Sequence, residues 1–201
     1  MATTHSNIES RIKSYKPGEI LFPTDFRGDG SEAAIKMALS RLNKEGLIKR
    51  LGYGVYAIPK KDALFGEILP SAEEVAKAIA KKEHLKIKPA GANALNRLGL
   101  STQVPMNLVY LTDGTGREIK LGKTKIKFKP TTPKKLSLKG KISSLIIQAL
   151  EEIGHENLDD SMKAKIKQLL TKENRDDLMH DLKLATAPIH DYLLKLYQTN
   201  D

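Results

Sequence analysis

The side chains best placed to do chemistry lie between residues 31 and 58, and the chemistry is recognition rather than bond-making. Lys36, Ser40 and Lys44 recur every four residues, so on a helix they share one outer face, with Ser31 at its start and Arg41 at the border of the packed face. A helix fits the major groove of B-DNA, where such side chains can reach base edges. Lys49, Arg50 and Tyr53 follow on a short ribbon and would meet sugar-phosphate, which positions a protein on a duplex without reading its sequence. The plainer alternative is a helix packed on a solvated hairpin whose lysines only confer solubility.

The elements that must hold these residues are legible around them. Ser31 can cap the helix by accepting from an unpaired backbone N–H. Ala34, Ile35, Ala38, Leu39 and Leu42 form the buried stripe, Glu32, Lys36, Ser40, Asn43 and Lys44 fall opposite, and Gly46 stops the helix. Residues 47–51 and 55–58 flank Gly52-Tyr53-Gly54, where two glycines permit the positive φ of a tight hairpin. Upstream, residues 6–15 read as a helix capped by Ser6 with Glu9 in a capping box. Pro17-Gly18 breaks it, residues 19–22 form a strand to pair with the hairpin, and Pro23–Phe26 start a one-turn helix. Helix, strand, helix, helix, strand, strand is the order of a winged helix-turn-helix.

Bond-making chemistry finds little support. The five histidines are scattered and cysteine is absent, so neither a zinc site nor a thiolate nucleophile is expected, and no cofactor either. No GxSxG, HExxH or P-loop sequence occurs, and Asp113-Gly114-Thr115-Gly116 reads as a turn. Asp159-Asp160 and Asp176-Asp177 stand early in helices, where carboxylates suit the dipole. The chain is not expected to be an enzyme.

Charge points to a polyanion. Residues 1–60 hold 10 Lys/Arg against 6 Asp/Glu, residues 61–140 hold 16 against 7, and residues 141–201 hold 8 against 11. A basic front and acidic rear favour a nucleic-acid partner for the first two thirds, and a lysine-rich proteome is the bland alternative. The first residues lack the pattern of a signal peptide and no run reaches transmembrane length, so a cytoplasmic protein without a membrane role is expected.

Pro59–Asp62 reads as a linker into a second, mixed α/β domain over 61–201. Its expected elements are a helix from a Ser71–Glu74 capping box to about His84, a strand at 86–89, a helix at 90–98 stopped by Gly99, and a strand at 108–111. In the run 117–129, Lys123, Lys125, Lys127 and Lys129 alternate with Thr124, Ile126 and Phe128, which puts the lysines on one strand face about 6–7 Å apart. That row suits either auxiliary nucleic-acid contact or protection of an exposed edge. Residues 142–153 carry a strong amphipathic pattern, and an acidic helical tail follows from about 155.

The run FPTDFRGDGSEAAIKMALSRLNKEGLIKRLGYGVYAIPK resembles the winged-helix domain of AbiEi-type antitoxins, from type IV abortive-infection toxin–antitoxin systems. KPAGANALNRLGLSTQVPMNLVYLTDGTGREIKLGKTKIKFK is similar to the core of that group's second domain, most specifically at Ala90-Gly91-Ala92, Leu98–Pro105 and Tyr110–Gly114. The resemblance spans roughly residues 6–153. It implies a bacterial protein that represses its own operon by binding duplex operator DNA. It also implies action against a nucleotidyltransferase-like toxin without need of stable contact, the antitoxin activity residing in the C-terminal domain. Helix 31–45 and wing 47–58 map onto the family's DNA-reading element, and the acidic tail has no match in it. The expectation is therefore an α+β protein, with a winged helix-turn-helix at 1–60 and an antitoxin-like domain at 61–201. A regulator without a toxin partner is the first alternative and an RNA-binding protein the second. The latter lacks the aromatic platforms that splayed bases need.

Overall fold

Ile8 and Ile12 stand one helical turn apart and are buried, and around them the chain forms its first helix, α1 (Thr4–Ser14). The computed structural model describes residues 3–198. The cap of α1 is Thr3 rather than Ser6: the Thr3 hydroxyl accepts from the Ser6 N–H at 3.2 Å, and the Ser6 hydroxyl accepts from the Thr3 N–H at 3.0 Å. An earlier capping residue makes the same exchange and lengthens the helix, which leaves Glu9 to pair with Lys13 at 2.5 Å.

The described chain is mixed α+β and divides into two compact units, one running to Lys81 and including Ile119–Lys125, the other comprising Lys82–Glu118 and the residues from Ile126 onward. In the first unit α1 is followed by β1 (Ile20–Leu21), a 3₁₀ turn (Pro23–Phe26), α2 (Glu32–Lys44), β2 (Lys49–Gly52) and β3 (Val55–Ala57). The strands form a sheet of order β1-β3-β2, with Ile20 opposite Ala57 and Leu21 opposite Tyr56, so the strand expected at 19–22 does pair with the hairpin. Phe26, Ile35, Leu39, Leu42 and Ile48 close one core with Ile8 and Ile12. Arg11 locks α1 to the turn before α2. Its guanidinium donates to the Asp25 carbonyl at 2.9 Å, pairs with Asp29 and lies 5.0 Å from the Phe26 ring centre.

The two hairpin glycines have different reasons. Gly54 takes the positive φ (67°) that the turn demands. Gly52 does not; a Cβ there would fall 2.6 Å from the Lys120 carbonyl oxygen, so the residue is needed for close approach. The expected linker at 59–62 is instead the first arm of a ribbon, β4 (Lys60–Asp62) paired antiparallel with β5 (Gly66–Ile68). Asp62 folds its tip by accepting from the Leu64 and Phe65 N–H groups at 2.8 and 3.0 Å, which holds its carboxyl below the ordinary value. Helix α3 (Ala72–Lys82) starts at the Ser71–Glu74 box, with bonds of 2.7 and 3.2 Å.

The second unit contains β6 (Ile87–Ala90), α4 (Ala92–Leu98) and β7 (Asn107–Thr112), and the hairpin of β8 (Arg117–Leu121) and β9 (Thr124–Pro130) completes a sheet of order β6-β7-β9-β8. Helices α5 (Pro133–Leu136), α6 (Ser143–Ile153), α7 (Asp160–Leu170), α8 (Arg175–Leu182) and α9 (Ala187–Gln198) follow. Ile126 and Phe128 are buried between exposed lysines, and the Phe128 ring lies 6.2 Å from that of Tyr110. The acidic tail is no appendage. Ile166, Leu170, Leu178, Leu182 and Leu193 join Ile146 and Leu150 of α6 in one core.

A buried carboxylate organises the entry to α6. Asp181, 0% exposed, accepts from the Lys139 N–H (2.7 Å), the Gly140 N–H (3.0 Å) and the Ser143 hydroxyl (2.7 Å). Glu173 accepts from the N–H groups of Ile142 (2.6 Å) and Ser143 (2.7 Å). Glu173 thus takes two of the backbone donors that the helix start leaves open, and Asp181 takes those of the loop just ahead of it. Among the described residues, no helix is long and apolar enough to cross a membrane.

Candidate nucleic-acid interface

Helix α2 positions most of the candidate residues, and its burial pattern selects the face. Ile35, Ala38, Leu39 and Leu42 face the core, which turns Ala33, Lys36, Met37, Ser40, Arg41 and Lys44 outward as one continuous stripe. Ser31 caps the helix, its hydroxyl accepting from the Ala34 N–H at 3.3 Å, and so lies at the stripe's N-terminal end. Arg41, expected at the border of the packed face, is exposed in the middle of the stripe. Met37 is 56% exposed there, a placement the sequence does not signal, since a lone apolar residue among polar neighbours carries no period.

Asn43, expected on the polar side, is half-buried. Its side-chain oxygen accepts from the Arg50 N–H at 2.8 Å and so ties the start of the ribbon to the last turn of α2. This is a structural bond, and it fixes the angle between helix and hairpin.

The ribbon residues divide by availability. Tyr53 is 85% exposed at the tip, and Arg50 is exposed with its Nε donating to the Gly52 carbonyl at 3.3 Å. Lys49 is half-buried and paired with Glu67 of β5 at 3.0 Å, so a phosphate would have to displace that carboxylate. Lys36 is likewise engaged, by Glu32 one turn earlier at 2.8 Å. The hydrogen bond and charge of Glu32, with a lesser effect of Tyr53, raise the Lys36 ammonium above its ordinary value. Both groups of that pair are exposed, so the pair is a weak competitor for a polyanion.

The row of four lysines is not one strand face. Lys123 stands in the turn between β8 and β9, because Gly122 takes positive φ (56°) and ends the strand there. Lys125, Lys127 and Lys129 are on β9, exposed and alternating as predicted, with Lys127 paired to Glu118 at 3.4 Å. Lys123 and Lys125 fall in the first unit, Lys127 and Lys129 in the second. Near Lys123 and Lys125, the Lys120 backbone lies against Gly52 of the ribbon.

What the assembled surface offers is a helix with three cations and a hydroxyl on its outer face, beside a hairpin tip carrying a cation and an exposed phenol. That combination is cationic and presents hydrogen-bonding groups, the chemistry that suits an anion. Among the described residues, no group of three His, Asp or Glu side chains is placed to hold a metal ion. No curated protein matches the chain. Residues 7–178 match the family described as "Family of unknown function (DUF6088)", and the chain belongs to that family.

Proposed function

We propose that residues up to about 58 form a winged helix-turn-helix that reads duplex operator DNA, with α2 as recognition helix and β2–β3 as wing. The observation that carries this reading is the exposed stripe of α2, polar or cationic at four of its six positions, set beside the exposed Arg50 and Tyr53. Lys36, Ser40, Arg41 and Lys44 face the groove, with Ser31 at the helix start. Arg50 and Tyr53 meet the backbone, and Lys49 adds its charge once Glu67 is displaced.

The protein acts as a cytoplasmic antitoxin and autorepressor, opposing a nucleotidyltransferase-like toxin and requiring no catalysis of its own. The AbiEi-like pattern in both halves of the sequence supports this, as does the basic balance of residues 1–140. A regulator that binds DNA but has no toxin partner shares every feature of the first unit. Co-expression with the adjacent reading frame separates the two. Rescue of growth from a toxic neighbour supports the antitoxin, and absence of such a neighbour supports the plain regulator.

The direct test is a gel shift of the full chain against its own upstream region and a scrambled duplex of equal length, at several salt concentrations. A preference of about 4 kcal/mol or more for the native region supports a sequence-reading repressor. Equal binding to both duplexes refutes it.

A further inference from the structure

A second candidate site lies wholly within the second unit. Between the lysine face of the sheet and helix α6 is a cleft of about 450 Å³, within the ~300–1,000 Å³ typical of small-molecule sites. Val109 and Leu111, alternate residues of β7, give it an apolar floor, and Lys127 and Lys129 of β9 stand beside them. The opposite wall is α6, which contributes Gln148, Glu151 and Glu152.

Three features of the lining call for a ligand. Gln148 is only 4% exposed, yet its amide nitrogen is buried without a hydrogen-bond partner. Buried amides are normally satisfied, and a donor on a cleft wall without a protein partner is open to an acceptor oxygen of a bound molecule. Lys129 has no ion-pair partner among the described residues, and the partner of Lys127, Glu118, is exposed and 3.4 Å away. Glu151 is already neutralised by Lys135 at 2.7 Å, so the positive charge of the β9 lysines is opposed within the cleft only by Glu152. A Cβ on Gly91 would sit 3.3 Å from the Glu152 carboxyl carbon and one of its oxygens, so the absence of a side chain there lets the carboxylate lie along the cleft.

We propose that this cleft binds a phosphate monoester of nucleoside size. The phosphate would sit between Lys127 and Lys129, where compact ammonium groups act as point charges for it. An acceptor oxygen of the ligand would take the orphaned Gln148 donor. A flat ring would lie on Val109 and Leu111, and Glu152 would accept from an amino group on that ring. None of these residues belongs to the DNA-reading surface proposed above, so this site stands or falls independently of it.

The test is isothermal titration calorimetry of the full chain with AMP, CMP, GMP, UMP and inorganic phosphate, each to millimolar concentration. At least one nucleoside monophosphate should bind more tightly than inorganic phosphate. Lys129→Ala and Gln148→Met should each weaken it about tenfold or more. Gln148→Met keeps the volume and removes the unsatisfied amide, so its unliganded melting temperature should not fall. Lys49→Ala/Arg50→Ala should leave the titration unchanged. Absence of binding by every probe, equal binding of phosphate alone, or binding that survives both cleft substitutions would overturn the proposal.

Discussion

Replacing Asp181 by alanine tests the account of how the second unit holds together. The substitution deletes the acceptor for two backbone N–H groups and the Ser143 hydroxyl, at a site with no solvent exposure. Each donor left unsatisfied costs about 1–3 kcal/mol, and relief of the carboxylate's own desolvation offsets part of the sum. A net loss of about 3–5 kcal/mol follows, a large share of the ~5–15 kcal/mol that stabilises a typical fold. Urea unfolding followed by far-UV circular dichroism at neutral pH reads it. With a slope of about 2 kcal/mol per molar, the midpoint should fall by about 2 M. Asp181→Asn keeps one acceptor oxygen and should fall between alanine and the unaltered chain. Asp176→Ala, an exposed first-turn residue of α8, should stay within about 0.5 kcal/mol. A loss below about 1 kcal/mol for Asp181→Ala would show that water or a rearranged loop satisfies the donors. Asp181 would then not be what braces the entry to α6.

The remaining predictions concern the first unit. Arg50→Ala should flatten the salt dependence of duplex binding by about one unit, whereas Lys49→Ala should change it less, because Glu67 already holds that charge; equal changes would refute the distinction. Glu32→Gln frees Lys36 and removes a like charge from the approaching phosphates, so duplex affinity at low salt should rise, and a fall would place Glu32 in contact with bases. Gly52→Ala sets a Cβ against the Lys120 carbonyl and should cost about 1–3 kcal/mol in thermal unfolding. Leu64→Ser/Phe65→Ser, at side chains 88% and 79% exposed, should leave stability within about 0.5 kcal/mol in thermal unfolding, and a larger loss would show that the ribbon tip packs on the chain.

The parts legible in the sequence are those where one local pattern decides the outcome. The stripe Ile35, Ala38, Leu39, Leu42 fixes both the helix and its exposed face, and Ser31 caps where its side-chain chemistry says it should. Alternation places Lys125, Lys127 and Lys129 outward because Ile126 and Phe128 have a core to enter. The ribbon at 60–68 leaves no trace in the sequence for the opposite reason: every residue in it is exposed, so no buried face imprints a period. Asp181 and Glu173 act on backbone groups 30–42 residues away, a relation that no local window contains. Lys49 is indistinguishable from Arg50 in the sequence because its partner Glu67 lies on β5, beyond the expected linker at 59–62, where no element is expected. The cleft beside α6 depends on Gln148 lacking a partner, which only packing reveals.

The entry to α6 has a consequence for how this chain can change over generations. Residues 139–143 form a cradle of backbone donors whose anions are supplied from inside, by side chains on and just before α8. A neutral replacement at Asp181 or Glu173 opens a vacancy of the right polarity for a diffusible anion, at the expense of stability. Because four of the five bonds go to backbone N–H groups, the side chains of the loop can change while the two carboxylates cannot. A descendant that lost one carboxylate would survive best where an inorganic anion could take its place, turning an internal brace into a dependence on its medium.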